Sequence, residues 1–285
     1  MGAVFRKHPS QMQPVPRLDV QTEHPAQGFD PRRLSTHLMI WCRADAGVEL
    51  NGSGVSSWTD MTGNGADFAQ STAAEQPELI TGPSGRPALR FENDDDSSMS
   101  NAASGFNMHD DLTDTAEWTV AVAVSDWTPT SSNASFFGAA PVICCGTGTA
   151  SMNVEIGICV SSTTVNPVPL MGGVEASTPA AYAYANTATE ADVSAGDPFV
   201  AVLWSDGSNW NSRTNGTDGD GEAAVGLRGN ADVFIIGTAK PPLASGLADE
   251  QFTGNLMEVL VWDGALSEQE LSVVESYLMD RYKIG

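Results

Sequence analysis

The chain has 285 residues, 41% of them apolar, and a net charge of -23 at pH 7, so it is long enough for one large domain with a full core. A chain this acidic repels phosphate backbones, and we expect no direct nucleic-acid binding. No run approaches the ~20 apolar residues that cross a bilayer, and we expect no membrane span.

Residues 1–36 form a first unit that differs from the rest in composition. They contain five prolines and few apolar residues. Because proline lacks a backbone donor and restricts φ, this segment is not expected to enter a sheet interior or form a helix. Two predictions stay open: a disordered tail, or an extended arm that becomes ordered on a neighbouring subunit.

The charge distribution favours self-association through that arm. Residues 1–43 carry six basic and three acidic residues, whereas the rest carries seven basic and 33 acidic. A mildly basic segment on a strongly acidic body suits pairing between copies or with other proteins of an assembly. The arm residues expected to pair with acidic surface are Arg6, Lys7, Arg17, Arg32 and Arg33.

Residues 37–285 form a second unit with an all-β pattern. Short apolar runs separated by turn residues predict strands near residues 38–43, 85–91, 117–124, 135–144, 153–160, 199–204, 232–237 and 256–262. Asn215-Gly216 predicts a two-residue hairpin turn, since both residues tolerate positive φ. Long amphipathic helices are absent before the C-terminus, which favours a sandwich or barrel.

The C-terminal residues predict a strand, a turn and a helix. Asp263-Gly264 ends the last strand with turn chemistry. Ser267 and Glu270 have the spacing of a capping box, in which each side chain accepts from the other residue's backbone N–H. One helical face is apolar, with Leu271, Val274, Leu278 and Tyr282.

Several segments resemble, in order, the laminin-G-like, concanavalin A-like jelly-roll proteins. They are LMIWCR at 38–43, Ser57-Trp58-Thr59-Asp60, Gly63-Asn64-Gly65, GRPALRF at 85–91, EWTVAVAV at 117–124 and the C-terminal strand, turn and helix. The resemblance implies a concanavalin A-like β-sandwich, or jelly roll, with two curved antiparallel sheets and a short C-terminal helix. That family includes lectins, glycosidases and structural proteins, so function needs its own evidence.

Catalytic motifs are weak in this chain. Hydrolytic members of the fold carry an E-x-D-x-x-E strand, and the nearest string, Glu92 to Ser97, has serine where the second glutamate belongs. His109 is the one histidine well inside the body, and no G-x-S-x-G elbow accompanies it. We therefore expect a protein that is not an enzyme.

Calcium is the one candidate ligand among the metals, and no motif requires a cofactor. Hard cations prefer clustered oxygen ligands. Two loops offer them, with Asp94, Asp95 and Asp96 in the first and Asp218, Asp220 and Glu222 in the second. The alternative is that both are solvated acidic turns, as charge runs usually are.

Carbohydrate binding needs aromatic platforms beside polar groups. Such contexts surround Trp127, Trp210, Tyr182 and Tyr184. The alternative for Trp210 is packing in the core or at its rim, since large aromatic residues are mostly buried. The other five tryptophans lie in apolar strands and are predicted to be core: Trp41, Trp58, Trp118, Trp204 and Trp262.

Cysteine usage and the N-terminus bear on location. Cys42, Cys144, Cys145 and Cys159 lie in apolar runs and are predicted to be buried free thiols, as expected of a chain folded in a reducing cytoplasm. The N-terminus has no apolar core of a secretory signal.

Three functional hypotheses follow. The preferred one is a structural or attachment protein of a virus particle, such as a phage head-decoration or tail-associated protein, made in the host cytoplasm and assembled through its arm. The second is a carbohydrate-binding module of a cellular or secreted protein, exported by an unrecognised route. The third is a glycan-cleaving enzyme, which would need two carboxylates about 5 to 10 Å apart in a cleft.

Overall fold

A computed structural model describes residues 28–92, 96–101, 117–128, 139–146, 154–161, 169–174, 182–186, 193–219, 221–223, 233–238 and 251–285. Within these ranges the chain forms antiparallel strands and one C-terminal helix, confirming the all-β sandwich prediction. No helix in the described ranges is long and apolar enough to cross a membrane.

The described strands are numbered in chain order. They are β1 Leu38–Arg43, β2 Val48–Asn51, β3 Gly54–Trp58, β4 Phe68–Ala69, β5 Glu78–Thr81, β6 Pro87–Phe91, β7 Met99–Ser100, β8 Glu117–Thr128, β9 Ala139–Gly146, β10 Val154–Ser161, β11 Pro169–Val174, β12 Tyr182–Asn186, β13 Phe199–Asp206, β14 Asn209–Thr214, β15 Thr217–Asp218, β16 Glu222–Ala223, β17 Val233–Ile236 and β18 Thr253–Trp262. The helix α1 spans Glu268–Tyr282. Single 3₁₀ turns lie at Pro31–Arg33 and Ala73–Glu75.

Strand β18 is the centre of the first layer. It pairs with β8 on one side, while β6 and then β1 pair with successive halves of its other side. Strands β13 and β14 extend the layer beyond β8, and β5 extends it beyond β6. This layer therefore joins segments from both ends of the described chain.

The second layer follows the order β4, β7, β17, β9, β10, β11, β12. Strand β3 connects the layers at one end because it pairs with both β4 and β5. At the other end, β12 lies beside β14 and β16 of the first layer. The two layers thus approach each other along both rims.

Alternating residues of β8 divide the interior into two apolar clusters. Val120, Val122 and Val124 belong to the cluster between the layers, together with Phe234 and Ile236 of β17. The intervening Ala121 and Ala123 belong to a second cluster beneath α1. The period of two in the sequence is therefore used on both faces of the strand.

The remaining core predictions are confirmed where the side chains are described. The five tryptophans expected in the core are all buried: Trp41, Trp58, Trp118, Trp204 and Trp262. Cys42, Cys144 and Cys145 are buried and are not in disulfide bonds, and burial raises the pKa of the Cys144 thiol to about 12. The side chain of Cys159 lies outside the described residues.

The loop after β3 explains the motif that carried the family resemblance. The buried carboxylate of Asp60 accepts hydrogen bonds from the backbone N–H of Trp41 (2.9 Å) and of Thr62 (3.0 Å). Asn64 Nδ2 donates to the carbonyls of Leu38 and Met39, both at 3.1 Å. These polar residues therefore hold the loop against β1 and are part of the fold.

Helix α1 forms as its sequence predicts. The capping box between Ser267 and Glu270 is present in both directions. Burial alone would raise the pKa of Glu270, but hydrogen bonds from Ser267 and Ser35 outweigh it and hold the pKa below its usual range. The predicted apolar face, Leu271, Val274, Leu278 and Tyr282, is buried against the first layer.

Candidate functional site

Two of the four candidate sugar platforms are buried: Trp127, against the prediction, and Trp210, as the alternative of core packing predicted. Each is 1% exposed. The ring of Trp127 packs edge-on against Phe199 at 5.9 Å, and that of Trp210 against Trp118 at 5.3 Å. The polar context misled because strand neighbours alternate: Asp126 and Thr128 face solvent while Trp127 faces the core.

Tyr182 and Tyr184 remain candidates at the rim of the second layer. They lie in β12, where they pair with Val174 and Gly172 of β11, and their side chains lie outside the described residues. Residues two apart share one face of a strand. The adjacent β14 brings Asn209, which is exposed, and Asn211, which is half-buried. We call Tyr182, Tyr184, Asn209 and Asn211 the β12 rim.

The two acidic loops are described only in part. Asp94, Asp95 and Asp220 lie outside the described residues, as does the side chain of Glu222. Asp96 has a left-handed backbone with φ 54° and accepts a hydrogen bond from Gln251. Asp218 accepts from Arg213 Nε at 2.6 Å.

Calcium binding therefore stays a prediction. Across the described ranges, no group of three or more histidine, cysteine, aspartate or glutamate residues could hold a metal ion. Four of the six predicted ligands contribute no described side chain, so the two loops need a direct measurement with added Ca²⁺.

The last part of the predicted arm packs on the body. The ring of Phe29 packs at a tilt against that of Tyr277 of α1, with centroids 4.8 Å apart, and Leu34 packs against the cluster beneath that helix. The backbone N–H of Ser35 donates to Glu270 Oε1 at 2.7 Å. Residues 28–36 therefore form a strap across α1, whereas Arg6, Lys7 and Arg17 lie outside the described residues.

Arg32 and Arg33 lie within this strap. Arg32 makes two hydrogen bonds of 2.9 Å to the carboxylate of Asp30 and lies over the ring of Trp41. The carboxylate that pairs with Arg32 therefore comes from the strap itself and not from the acidic surface of the body. Arg33 is exposed. The role of these residues in assembly, and the boundary at residue 36, stay predictions.

A buried carboxylate lies beneath α1. Glu258 is fully buried in β18. It accepts hydrogen bonds from Trp41 Nε1 (2.7 Å), Tyr277 Oη (2.9 Å) and Tyr282 Oη (2.8 Å). Burial raises the pKa of Glu258, against the opposing effects of the Trp41 hydrogen bond and the Arg281 charge.

A second polar contact holds the other end of the helix. Arg213 of β14 is 7% exposed and pairs with Glu268 at 2.7 Å and with Glu275 at 3.4 Å. The backbone N–H of Gly216 also donates to Glu275. Burial raises the pKa of Glu275, while the Arg213 charge opposes that shift. Arg213 and Gly216 thus connect α1 to the hairpin between β14 and β15. The turn of that hairpin is Asn215-Gly216, and both residues have positive φ, as predicted.

These contacts bear on catalysis. A general acid for glycoside hydrolysis needs a raised pKa and access to the sugar. Among the described carboxylates, the pKa is raised at Glu258 and Glu275, which are 0% and 3% exposed. Glu258 lies beneath α1 and Glu275 lies on the buried side of that helix, so neither can reach a sugar in solution.

Four arginines meet at one corner beside the strap, and sequence reasoning missed this arrangement. Arg281 and Arg43 pair with Asp45 at 2.5 and 3.0 Å, and Arg86 lies 3.6 Å from it. Arg32 and Arg43 each lie over the ring of Trp41, at 5.5 and 5.4 Å. We call this group the arginine corner. Its members come from four separate segments, so no local pattern announces it.

No family model matches this chain, and no curated protein matches it. Solved structures are similar in fold. Domain 4 of a GH43 extracellular arabinanase from Geobacillus stearothermophilus, in complex with arabinotriose, matches with a TM-score of 0.54 and 13% identity, over 87% of this chain and 98% of that chain.

Two larger proteins also contain a similar region. Trypanosoma rangeli sialidase in complex with sialic acid matches with a TM-score of 0.52 and 12% identity, over 85% of this chain and 33% of its own. A GH54 α-L-arabinofuranosidase matches with a TM-score of 0.55 and 10% identity, over 87% of this chain and 60% of its own. The chain thus spans a third and about three fifths of these proteins, and at such identities the likeness concerns the fold.

Proposed function

We propose that this chain is a non-catalytic glycan-binding domain with a concanavalin A-like sandwich. The observation that carries the proposal is the match with domain 4 of the arabinanase, which extends over 98% of a chain solved with arabinotriose. The buried positions of Glu258 and Glu275 support the absence of a catalytic role for the described carboxylates with raised pKa.

The β12 rim is the proposed glycan site. Sugars are bound by aromatic faces together with a few placed polar groups. Tyr182 and Tyr184, two positions apart in β12, offer the aromatic groups, and the neighbouring strand β14 carries the amides of Asn209 and Asn211. The inner face of the first layer is occupied by the inter-layer cluster, and α1 packs on its outer face.

A glycan array with the full chain, followed by titration calorimetry, tests the proposal. Tyr184→Ala should weaken binding of the selected glycan about tenfold, since loss of a stacking ring removes about 1.5 kcal/mol. Tyr184→Phe is the matched control and should retain most of the affinity. Lack of binding to any glycan would contradict the proposed function, and equal affinity of Tyr184→Ala and wild type would contradict the site.

The virus-particle role is the more specific hypothesis from the sequence, and residues 1–27 carry its test. Deleting residues 1–36 would also remove Phe29 and Leu34 from their contacts with the α1 cluster. A deletion of residues 1–27 keeps the strap, so its effect on assembly can be measured without the loss of contacts that stabilise the fold. Light scattering should then show loss of an oligomer if the arm assembles the protein, and an unchanged mass would contradict that role.

A further inference from the structure

The arginine corner has more exposed positive charge than its structural contacts require. Arg281 and Arg43 are mostly buried, with side chains 13% and 23% exposed, and they connect α1 and β1 through Asp45. Arg86 and Arg32, in contrast, are 43% and 55% exposed. Exposed ion pairs contribute little to stability, typically below about 1 kcal/mol. A contribution to stability therefore accounts for the buried Arg281 and Arg43 better than for the exposed Arg86 and Arg32.

The exposed guanidinium groups of Arg32 and Arg86 are oriented by contacts with neighbouring residues. Trp41 lies under both Arg32 and Arg43, and its Nε1 donates to the buried Glu258. Arg86 is oriented by its Nε, which donates to the carbonyl of Arg281 at 3.0 Å. A guanidinium whose plane is already oriented loses less conformational freedom when it binds a carboxylate or a sulfate.

The corner stands out against the charge of the whole chain. Only 13 of 285 residues are lysine or arginine, against 36 acidic residues. Four of those 13 lie here, and in the part of the chain that the structure describes they pair with Asp30, Asp45 and the buried Glu258. An acidic polymer repelled by most of this surface would find a local attraction at this corner.

We propose that the arginine corner binds a carboxylate or sulfate group carried by an acidic glycan, with Arg32 and Arg86 as the contacting residues. The choice of a glycan rests on the proposed function; the choice of an anionic group rests on the corner itself. Guanidinium groups bind planar carboxylates and sulfate oxygens through paired N–H donors. The class of ligand is therefore a polysaccharide that contains uronic acids or sulfate esters.

The test measures binding of the full chain to polygalacturonate and to dextran sulfate, with neutral dextran and polyglutamate as comparison polymers. Measurements at about 0.15 M salt suit the question, because a Debye length of ~8 Å screens the distant acidic surface more than direct contacts. Wild type should bind at least one acidic glycan more tightly than dextran. Arg86→Gln should weaken that binding about tenfold, the loss of one charge-assisted hydrogen-bonded contact.

Arg90→Gln is the matched control. The side chain of Arg90 is 41% exposed, a fraction similar to that of Arg86, and it pairs with Glu78 and Glu92 and not with members of the corner. Arg90→Gln changes the net charge by the same amount as Arg86→Gln and should leave the affinity for the glycan within about twofold of wild type. Arg86→Lys keeps the charge but loses the paired donors, so an intermediate affinity is expected. Thermal melting of each variant separates a loss of binding from a loss of folding.

Three results would overturn the proposal. One is equal weakening by Arg86→Gln and Arg90→Gln, which would indicate an effect of net charge alone. Another is polyglutamate binding as tight as that of either acidic glycan, which would assign the corner to an acidic protein. A third is binding of neutral glycans without any preference for acidic ones; that outcome would leave the proposed glycan-binding function intact.

Discussion

The two faces of the first layer are stabilised in different ways. Between the layers, the described cluster consists of apolar side chains such as Val122, Phe91 and Ile236. Where α1 packs on the layer, the apolar cluster is accompanied by the buried carboxyl groups of Glu258 and Glu275. Apolar burial is non-directional, whereas buried polar groups require specific partners. The comparison indicates that hydrophobic pattern builds the sandwich and polar contacts position the helix on it.

The inter-layer face should be the more sensitive to loss of a single side chain. Trp210→Ala removes a fully buried ring and its edge-on contact with Trp118. We expect the free energy of unfolding to fall by about 4 kcal/mol, as for other buried aromatic residues, measured by chemical denaturation. Leu50→Ala is the control, since Leu50 is 54% exposed, and a loss similar to that control would contradict the buried position of Trp210.

The face beneath α1 should be sensitive to loss of its acceptor. Glu258→Ala leaves the donors of Trp41, Tyr277 and Tyr282 without their carboxylate. We expect a loss of about 3 kcal/mol in the free energy of unfolding, since unpaired buried groups carry a desolvation cost. Glu258→Gln retains one acceptor oxygen and should cost less. Equal losses for the alanine and glutamine variants would contradict the acceptor role, because glutamine keeps an oxygen that can accept from Trp41 and the two tyrosines.

The same carboxylate should give the α1 face a pH dependence of its own. Burial raises the pKa of Glu258 above its ordinary value of 4.5, so the folded state binds its proton more tightly than the unfolded state. Stability contributed by that proton is present below pH 4.5 and is lost as pH rises through the folded pKa. Wild type should therefore lose stability relative to Glu258→Gln as pH increases, and a constant difference between their melting temperatures would contradict the shift.

The smallest expected effect is at the start of the helix. Ser267→Ala removes the hydroxyl that accepts from the backbone N–H of Glu270, and N-cap losses are typically about 1 kcal/mol. Ser272→Ala is the control within the same helix, because the Ser272 hydroxyl donates to a backbone carbonyl that is already within the helix. A denaturation midpoint shifted equally by both variants would argue against the capping role.

The sequence predicted the first layer well because its signals are local. The strand pattern, the Asn215-Gly216 turn and the capping box each depend on neighbouring residues, and each is present in the structure. Short strands without a strong apolar run, such as β5 and β12, were missed. The burial of Trp127 was also missed, because exposed polar neighbours on both sides concealed the alternation.

The candidate sites depended on information that no local pattern contains. The arginine corner joins residues as far apart as Asp45 and Arg281, whose side chains are 2.5 Å apart. Glu258 likewise meets Trp41 from a strand 217 positions away in sequence. The composition shows that arginine and lysine are few, but only the three-dimensional structure shows that four arginines lie near one another.

The position of β18 has a consequence for how the protein is made. This strand separates β8 from β6 and β1, so none of those three completes its pairing until residues 253–262 have left the ribosome. Until then β1 and β8 present unpaired backbone edges that favour contacts with other chains. Closing a loop of more than 200 residues between β1 and β18 also slows folding. The first layer is therefore completed late in synthesis, and until then like charges on the acidic chain oppose contacts between copies.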